Sequence, residues 1–268
     1  MRILLTNDDG IYAPGLAALK REAARLADVT VVAPEIERSA AAHSITLDRP
    51  LRVREVYVGD EFLGYSVDGS PADCVKIGVR QVLTNPPDLV LSGINPGANV
   101  GINVLYSGTV AAALEGAILG ITSIAVSQEA VKKPDFPSTA RQAASVISMI
   151  LKNSPPAGSL FNINIPACSP SSIQGVVAAA MSTVSYEDGF DLRTDPRGGT
   201  YYWMTGEIYE EKLPPGSDMA LLRRGFITVT PLQYDLTDAA LLKTASEWTM
   251  PSNLKGHHMG RDTSNHNG

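Results

Sequence analysis

The chain has 268 residues, of which 44% are hydrophobic, 19% charged and 6% aromatic; this is an ordinary globular composition with room for a large core, which excludes disordered and collagen-like classes. A net charge of −6 argues against a surface that grips nucleic-acid polymers by neutralising many phosphates, though not against one phosphate beside a local cation. Two cysteines, Cys74 and Cys168, cannot form a disulfide framework, and three of the four histidines (His257, His258, His266) lie in the polar tail, which counts against multi-His zinc and Ser-His-Asp chemistry.

Met1 to Thr6 is apolar but meets Asn7-Asp8-Asp9 too soon for a signal-peptide core, and no later run approaches a membrane span. A cytoplasmic protein without membrane attachment is expected, with both cysteines buried as apolar residues. Ile3 to Thr6 reads as a buried strand, Pro14 to Leu26 as a helix with Leu16, Leu19 and Leu26 on one face, and Val29 to Ala33 as the next strand. Strand-like pieces at Leu51 to Val58 and Phe62 to Val67 precede a helix over Pro71 to Val82, with proline in its first turn. Asp88 to Leu91 is a strand, Val110 to Leu119 a helix, Ser123 to Val126 a strand, Ala140 to Leu151 a helix and Phe161 to Ile165 a strand.

Continuous apolar strands separated by helices predict a mostly parallel, doubly wound α/β sheet covered on both faces. From about Val176 the helical alternation fades. Strand-like Thr200 to Met204 and Phe226 to Val229, joined by turns such as Pro196-Arg197-Gly198-Gly199, read as a β-rich extension that either holds a partner subunit or is a plain surface elaboration. The expected organisation is a core over 1–170, a β-rich region over 171–249 and a polar, mobile or swapped tail over 250–268.

In such a sheet, ligands bind beyond the carboxyl ends of the strands. The first strand ends in Asn7-Asp8-Asp9-Gly10, where two adjacent carboxylates call either for a cation between them or for a helix-capping role. Carboxylate ligands favour a hard ion such as Mg²⁺ or Mn²⁺. The second strand runs into Glu35-Ile36-Glu37-Arg38-Ser39, where Ser39 could complete a coordination shell and Arg38 either steers an anion or pairs with Glu35 or Glu37. His43 reads as a loop or packing residue. After Leu91 comes Ser92-Gly93-Ile94-Asn95-Pro96-Gly97-Ala98-Asn99-Val100-Gly101, a loop costly to order unless its backbone approaches something, with Asn95 as a further oxygen ligand. Ser107-Gly108-Thr109 opens the helix at Val110; it is either a simple cap or a cluster of donors at a positive dipole end that suits a phosphate. P-loop, dinucleotide and nucleophile-elbow motifs are absent from the sequence.

Together, Asn7-Asp8-Asp9-Gly10, Ser39 with Ser44-Ile45-Thr46, Gly69-Ser70-Pro71-Ala72-Asp73-Cys74-Val75, Ser92-Gly93-Ile94-Asn95-x-Gly97-x-Asn99, Tyr106-Ser107-Gly108-Thr109-Val110 and Asp235-Leu236-Thr237-Asp238 resemble the SurE family of stationary-phase survival proteins, over nearly the whole chain to about Asp238. The resemblance implies a Rossmann-like fold, dimers or tetramers built through the β-rich part, and metal-dependent hydrolysis of nucleoside 5′- and 3′-monophosphates and short polyphosphate. Its metal ligands fall on Asp8, Asp9, Ser39 and Asn95. Ala40 stands where relatives often carry glycine and Ser70 where threonine is common, and the tail beyond Pro251 has no counterpart.

The expected mechanism is hydrolysis of a phosphate monoester at one divalent ion, with Asn95 and the donors of Ser107, Gly108 and Thr109 on the substrate and Asp9 orienting or deprotonating water, or an Asp carboxylate attacking directly. The alternatives are a phosphatase for another small ester, a receiver-like Mg²⁺-binding switch and a nucleotide-binding module. A receiver would need an acceptor Asp and a lysine at later strand ends, where this chain carries Ser92-Gly93 and Ser127-Gln128.

Overall fold

The computed structural model describes residues 1–38, 42–184, 187–207 and 212–248. Ser39 and the tail from residue 250, both singled out by sequence, lie outside them. The chain divides into two compact units, Met1–Tyr234 and Asp235–Gly268.

In the first unit, β1 (Arg2–Thr6), α1 (Pro14–Ala23) and β2 (Asp28–Pro34) form the opening strand-helix-strand element, followed by β3 (Val53–Val58), β4 (Glu61–Val67) and α2 (Pro71–Ile77). Then come β5 (Leu89–Asn95), α3 (Gly108–Ile118), β6 (Ser123–Gln128), α4 (Phe136–Lys152) and β7 (Leu160–Ile165). The remainder holds β8 (Gly175–Ala178), β9 (Glu187–Thr194), β10 (Thr200–Glu207), α5 (Asp218–Arg223) and β11 (Phe226–Leu232). Nine strands form one sheet in the order β3-β4-β2-β1-β5-β6-β7-β11-β8, while β9 and β10 form a separate antiparallel ribbon. The pairs from β4 through β2, β1, β5 and β6 to β7 are parallel.

Alternation within each strand explains why these runs are apolar throughout. Ile3 and Leu5 pack to one side with Leu16 and Leu19 of α1 and Ala140 and Ile147 of α4. Leu4, between them, packs to the other side with Val75 of α2 and Ala112 of α3. Covered on both faces, β1 is apolar from Ile3 to Leu5 and β5 from Leu89 to Leu91, and the Asn7-Asp8-Asp9 turn follows β1 at the rim of the sheet.

The predicted α/β, mostly parallel sheet is observed, with differences of detail. The first helix stops at Ala23, because the chain turns through Ala24 and Leu26 to enter β2, and Leu26 is exposed instead of sharing the core face. The second stops at Ile77, where a π-type turn over Gly78–Val82 replaces its final turns. Strand β11 pairs antiparallel with β7 and parallel with β8, so two strands of the β-rich segment complete the main sheet. Cys74 is buried as expected, whereas Cys168 is exposed in the loop after β7, which leaves the apolar strand behind at Ile165. Among the described residues no helix is long and apolar enough to cross a membrane.

The second unit contains α6 (Ala239–Ser246), whose N-cap is Asp238; the Leu241 amide donates to Asp238 Oδ1 at 2.9 Å. The motif Asp235-Leu236-Thr237-Asp238 is therefore a turn and a helix start, with the Thr237 amide donating to Asp235 Oδ1.

Candidate active site

Because β1 lies beside β5, with Thr6 paired to Ser92, the Asp8-Asp9 turn and the loop that begins at Asn95 leave the same rim of the sheet. Gly10 has φ of +98°, a conformation that other residues adopt only with strain, and its carbonyl accepts from Asn7 Nδ2 at 3.0 Å. The Arg38 amide donates to the Asp8 carbonyl at 2.7 Å, which brings the end of the β2 loop against the same turn.

The structure decides how the start of α3 is used. Ser107 is the N-cap and its Oγ accepts from the Val110 amide. Thr109 Oγ1 donates to Asp8 Oδ1. Gly108 sits directly against the same carboxylate: a Cβ there would lie 2.8 Å from Asp8 Cβ and 3.0 Å from Asp8 Oδ2. The anion that this helix start addresses is thus first of all Asp8, a contact across 101 residues of sequence. Glycine at 108 was legible as a helix-start residue, but its need to make room for Asp8 was not.

Asp8 is only 6% exposed, and burial raises its pKa against the opposing hydrogen bonds from Thr109. Burial, and then the neighbouring carboxylates of Asp8 and Glu37, push Asp9 up to about 7. Asp9 Oδ2 and Asn7 Oδ1 are buried without a hydrogen-bond partner. Two carboxylates that repel each other, one with a buried oxygen that receives no donor, form a set of hard oxygen atoms that fits a divalent cation. Among the described residues there is no cluster of three or more His, Cys, Asp and Glu side chains, so any such ion depends on neutral oxygens as well. Asn95 can offer one: its Nδ2 donates to the Gly97 carbonyl at 2.6 Å, which leaves Oδ1 as its acceptor.

Other residues fall into supporting places. Glu35 pairs with Arg54 at 2.6 Å and not with Arg38, whose Nε is buried without a partner. His43 Nε2 lies 2.9 Å from Glu115 Oε2, and Lys76 Nζ donates to the other oxygen of this buried carboxylate, so His43 ties the loop after residue 42 to α3. Ser70 and Asp73 form a capping box on α2, and the Ser70 hydroxyl donates to the Ser44 carbonyl while Asp73 accepts from Thr46, which explains the Ser70-to-Asp73 motif as an anchor for that loop. Strand β5 continues through Ser92-Gly93 to Ile94-Asn95 and β6 ends in Ser127-Gln128, with Gln128 Oε1 accepting from Thr139, an arrangement without a receiver's acceptor Asp and lysine.

A pH effect follows from the Asp9 geometry. Its folded-state value lies above the unfolded one of about 3.9, so the native state holds the proton more tightly. The associated stability is fully present below about pH 4 and is lost as pH rises toward 7. In EDTA, the melting temperature is expected to fall between pH 5 and pH 7.5, and Asp9→Asn should remove most of that slope. Thermal melts of both proteins across this range check it; an unchanged slope in the variant would assign the effect elsewhere.

Residues 3–188 match the family model described as "Survival protein SurE". The chain is 49% identical over 238 residues to the 5′-nucleotidase SurE of Syntrophus aciditrophicus, covering 88% of this chain and 90% of that protein. It is 43% identical over 250 residues to the 5′-nucleotidase SurE of Syntrophobacter fumaroxidans, covering 93% and 100%. The crystal structure of the SurE protein from Aquifex aeolicus superposes with a TM-score of 0.82 at 37% identity, covering 91% of this chain and 98% of that one.

Proposed function

The chain belongs to the SurE family, and from that premise we propose that it is a divalent-metal-dependent phosphomonoesterase that hydrolyses nucleoside 5′- and 3′-monophosphates and trims short polyphosphate. Relatives named 5′-nucleotidase support the substrate class. The observation that carries the reading is the Asp8-Asp9 pair at the sheet rim, with the Oδ2 of Asp9 buried and without a hydrogen-bond partner.

Asp8, Asp9, Ser39 and Asn95 would hold one Mg²⁺ or Mn²⁺. That ion, when bound, supplies positive charge to the phosphoryl oxygens and acidity to water. The protein supplies the rest. The Thr109 hydroxyl orients the Asp8 carboxylate, and the Ser107 hydroxyl and Gly108 amide would donate to the remaining phosphoryl oxygens, where charge grows as water adds. Asp9 takes the proton of the attacking water at a carboxylate oxygen. As the P–O ester bond breaks, Asp9 passes that proton to the ester oxygen, which leaves as the nucleoside hydroxyl.

We assign the reaction to the core of residues 1–170 and assembly to 171–249. The hairpin supports the second assignment: Phe190 pairs with Met204 and Leu192 with Tyr202, placing four apolar side chains on one exposed face. Such a patch fits a homodimer or homotetramer. The free cysteines fit a reducing cytoplasm.

Phosphate release from a panel of nucleoside monophosphates with Mg²⁺, Mn²⁺ or EDTA tests the reading. Turnover far beyond one phosphate per chain is expected with metal, and none in EDTA. Full activity in EDTA would overturn the metal-centred account, and stoichiometric release at most would mark a binder or switch.

A further inference from the structure

The α3 side of the sheet carries an unexpected band of polar residues. Thr6, Ser92, Ala125, Asn162 and Thr230 are paired from strand to strand, and so share this face. Ser127, Asn164 and Thr228 form the row beside them. All of these polar residues are buried.

Asn162 and Asn164 converge on one residue of the glycine-rich loop. The Asn99 amide donates to Asn164 Oδ1 at 2.8 Å, while Asn164 Nδ2 and Asn162 Nδ2 both donate to the Asn99 carbonyl, at 3.1 and 2.7 Å. Asn99 Nδ2 donates to Ser127 Oγ at 2.8 Å. Asn164 therefore treats the Asn99 main chain as an adjacent strand would, with one bond given and one received. Two residues before Asn99, the Gly97 carbonyl holds Asn95 Nδ2.

Stability alone does not explain the band. An amide in the core is unfavourable unless all its partners are present, and Asn162 Oδ1 has none, nor do Thr228 Oγ1 and Thr230 Oγ1. Aliphatic residues would fill this face without that penalty. What the amides provide is a fixed main-chain path for the middle of the loop after β5, whose far end is held by the Gly101 amide donating to Asp218 Oδ2 and by Val100 packing against Leu213 and Met219.

We propose that Asn162 and Asn164 are positioning residues: by gripping Asn99 they fix the loop so that Gly97 orients the Asn95 amide and presents its Oδ1 to the cation. The inference rests on the metal reading above. Outer partners that orient a ligand typically change metal affinity about 10- to 100-fold when removed.

The test is Mn²⁺ binding to EDTA-stripped, full-length protein, followed by electron paramagnetic resonance, with metal-free melting temperatures measured in parallel. Asn164→Ala, which removes two of the three bonds to the Asn99 main chain, should weaken Mn²⁺ binding at least about 10-fold. Asn162→Ala, which removes one, should weaken it about 5-fold. Thr228→Val removes an unpartnered hydroxyl from the same face and should leave the affinity unchanged. Wild-type affinity in folded asparagine variants overturns the proposal, and so does an equal loss in Thr228→Val. If Asn164→Ala fails to fold, Asn162→Ala decides by the same criterion. Undiminished Mn²⁺ binding by Asp8→Asn would instead overturn the metal reading itself.

Discussion

Asp8→Asn is expected to lower kcat/KM for nucleoside monophosphates about 10³-fold, the equivalent of the several kcal/mol that a bound cation contributes to charge stabilisation. The substitution keeps the size of the side chain and removes only its charge and one acceptor. That is enough because Asp8 is at once the buried member of the carboxylate pair and the acceptor of the Thr109 hydroxyl. An amide that turns its nitrogen toward Thr109 leaves that hydroxyl without an acceptor. One that turns its oxygen there offers the cation a nitrogen, which cannot serve as a ligand to Mg²⁺. Steady-state phosphate release at several Mg²⁺ and Mn²⁺ concentrations measures the loss, and rescue by high metal would show that binding of the ion, and not folding, is what failed. Near-normal activity at low metal would remove Asp8 from the centre.

Gly108→Ala is expected to reduce kcat/KM by about 10²-fold, the loss that follows from a catalytic group displaced by roughly 1 Å. The added methyl would meet Asp8 Cβ at 2.8 Å, closer than packed carbons approach, and the atom in the way belongs to a short side chain held by Thr109. Either the carboxylate or the first turn of α3 must move, and each carries part of the site. The stability cost of such overpacking is about 1–3 kcal/mol, so the variant should still fold and the activity loss should exceed the effect on melting. A thermal melt beside the kinetic assay separates the two. Wild-type kinetics would mean that the Asp8-to-α3 contact does not set the geometry of the reaction.

The same contacts show where reading the chain in one dimension succeeded and where it stopped. Asp8, Asp9 and Asn95 were legible as rim residues because each follows the apolar run of a buried strand. Ser107 was legible as a helix start because short hydroxyl side chains cap free amides. Which anion that helix start addresses was not legible. Thr109 meets Asp8 across 101 residues, and Asn164 meets Asn99 across 65. The fading of helical alternation after Val176 was read correctly as β-rich structure, yet nothing local distinguished β11, which joins the main sheet, from β9 and β10, which pair only with each other. Arg38 likewise offered two acidic neighbours in sequence, and Glu35 went to Arg54 on the adjoining hairpin instead.

By itself, the sequence determined the class of fold and the end of the sheet at which the Asp8-Asp9 pair lies. Periodicity and burial act over a few residues, and the carboxyl ends of parallel strands must gather at one rim. Strand order, the partner of each polar group and the clasp of Asn162 and Asn164 on the glycine-rich loop were decided only by the tertiary structure. Those features depend on register between strands far apart in the chain, and register is set by the packing of whole faces, not by any short segment.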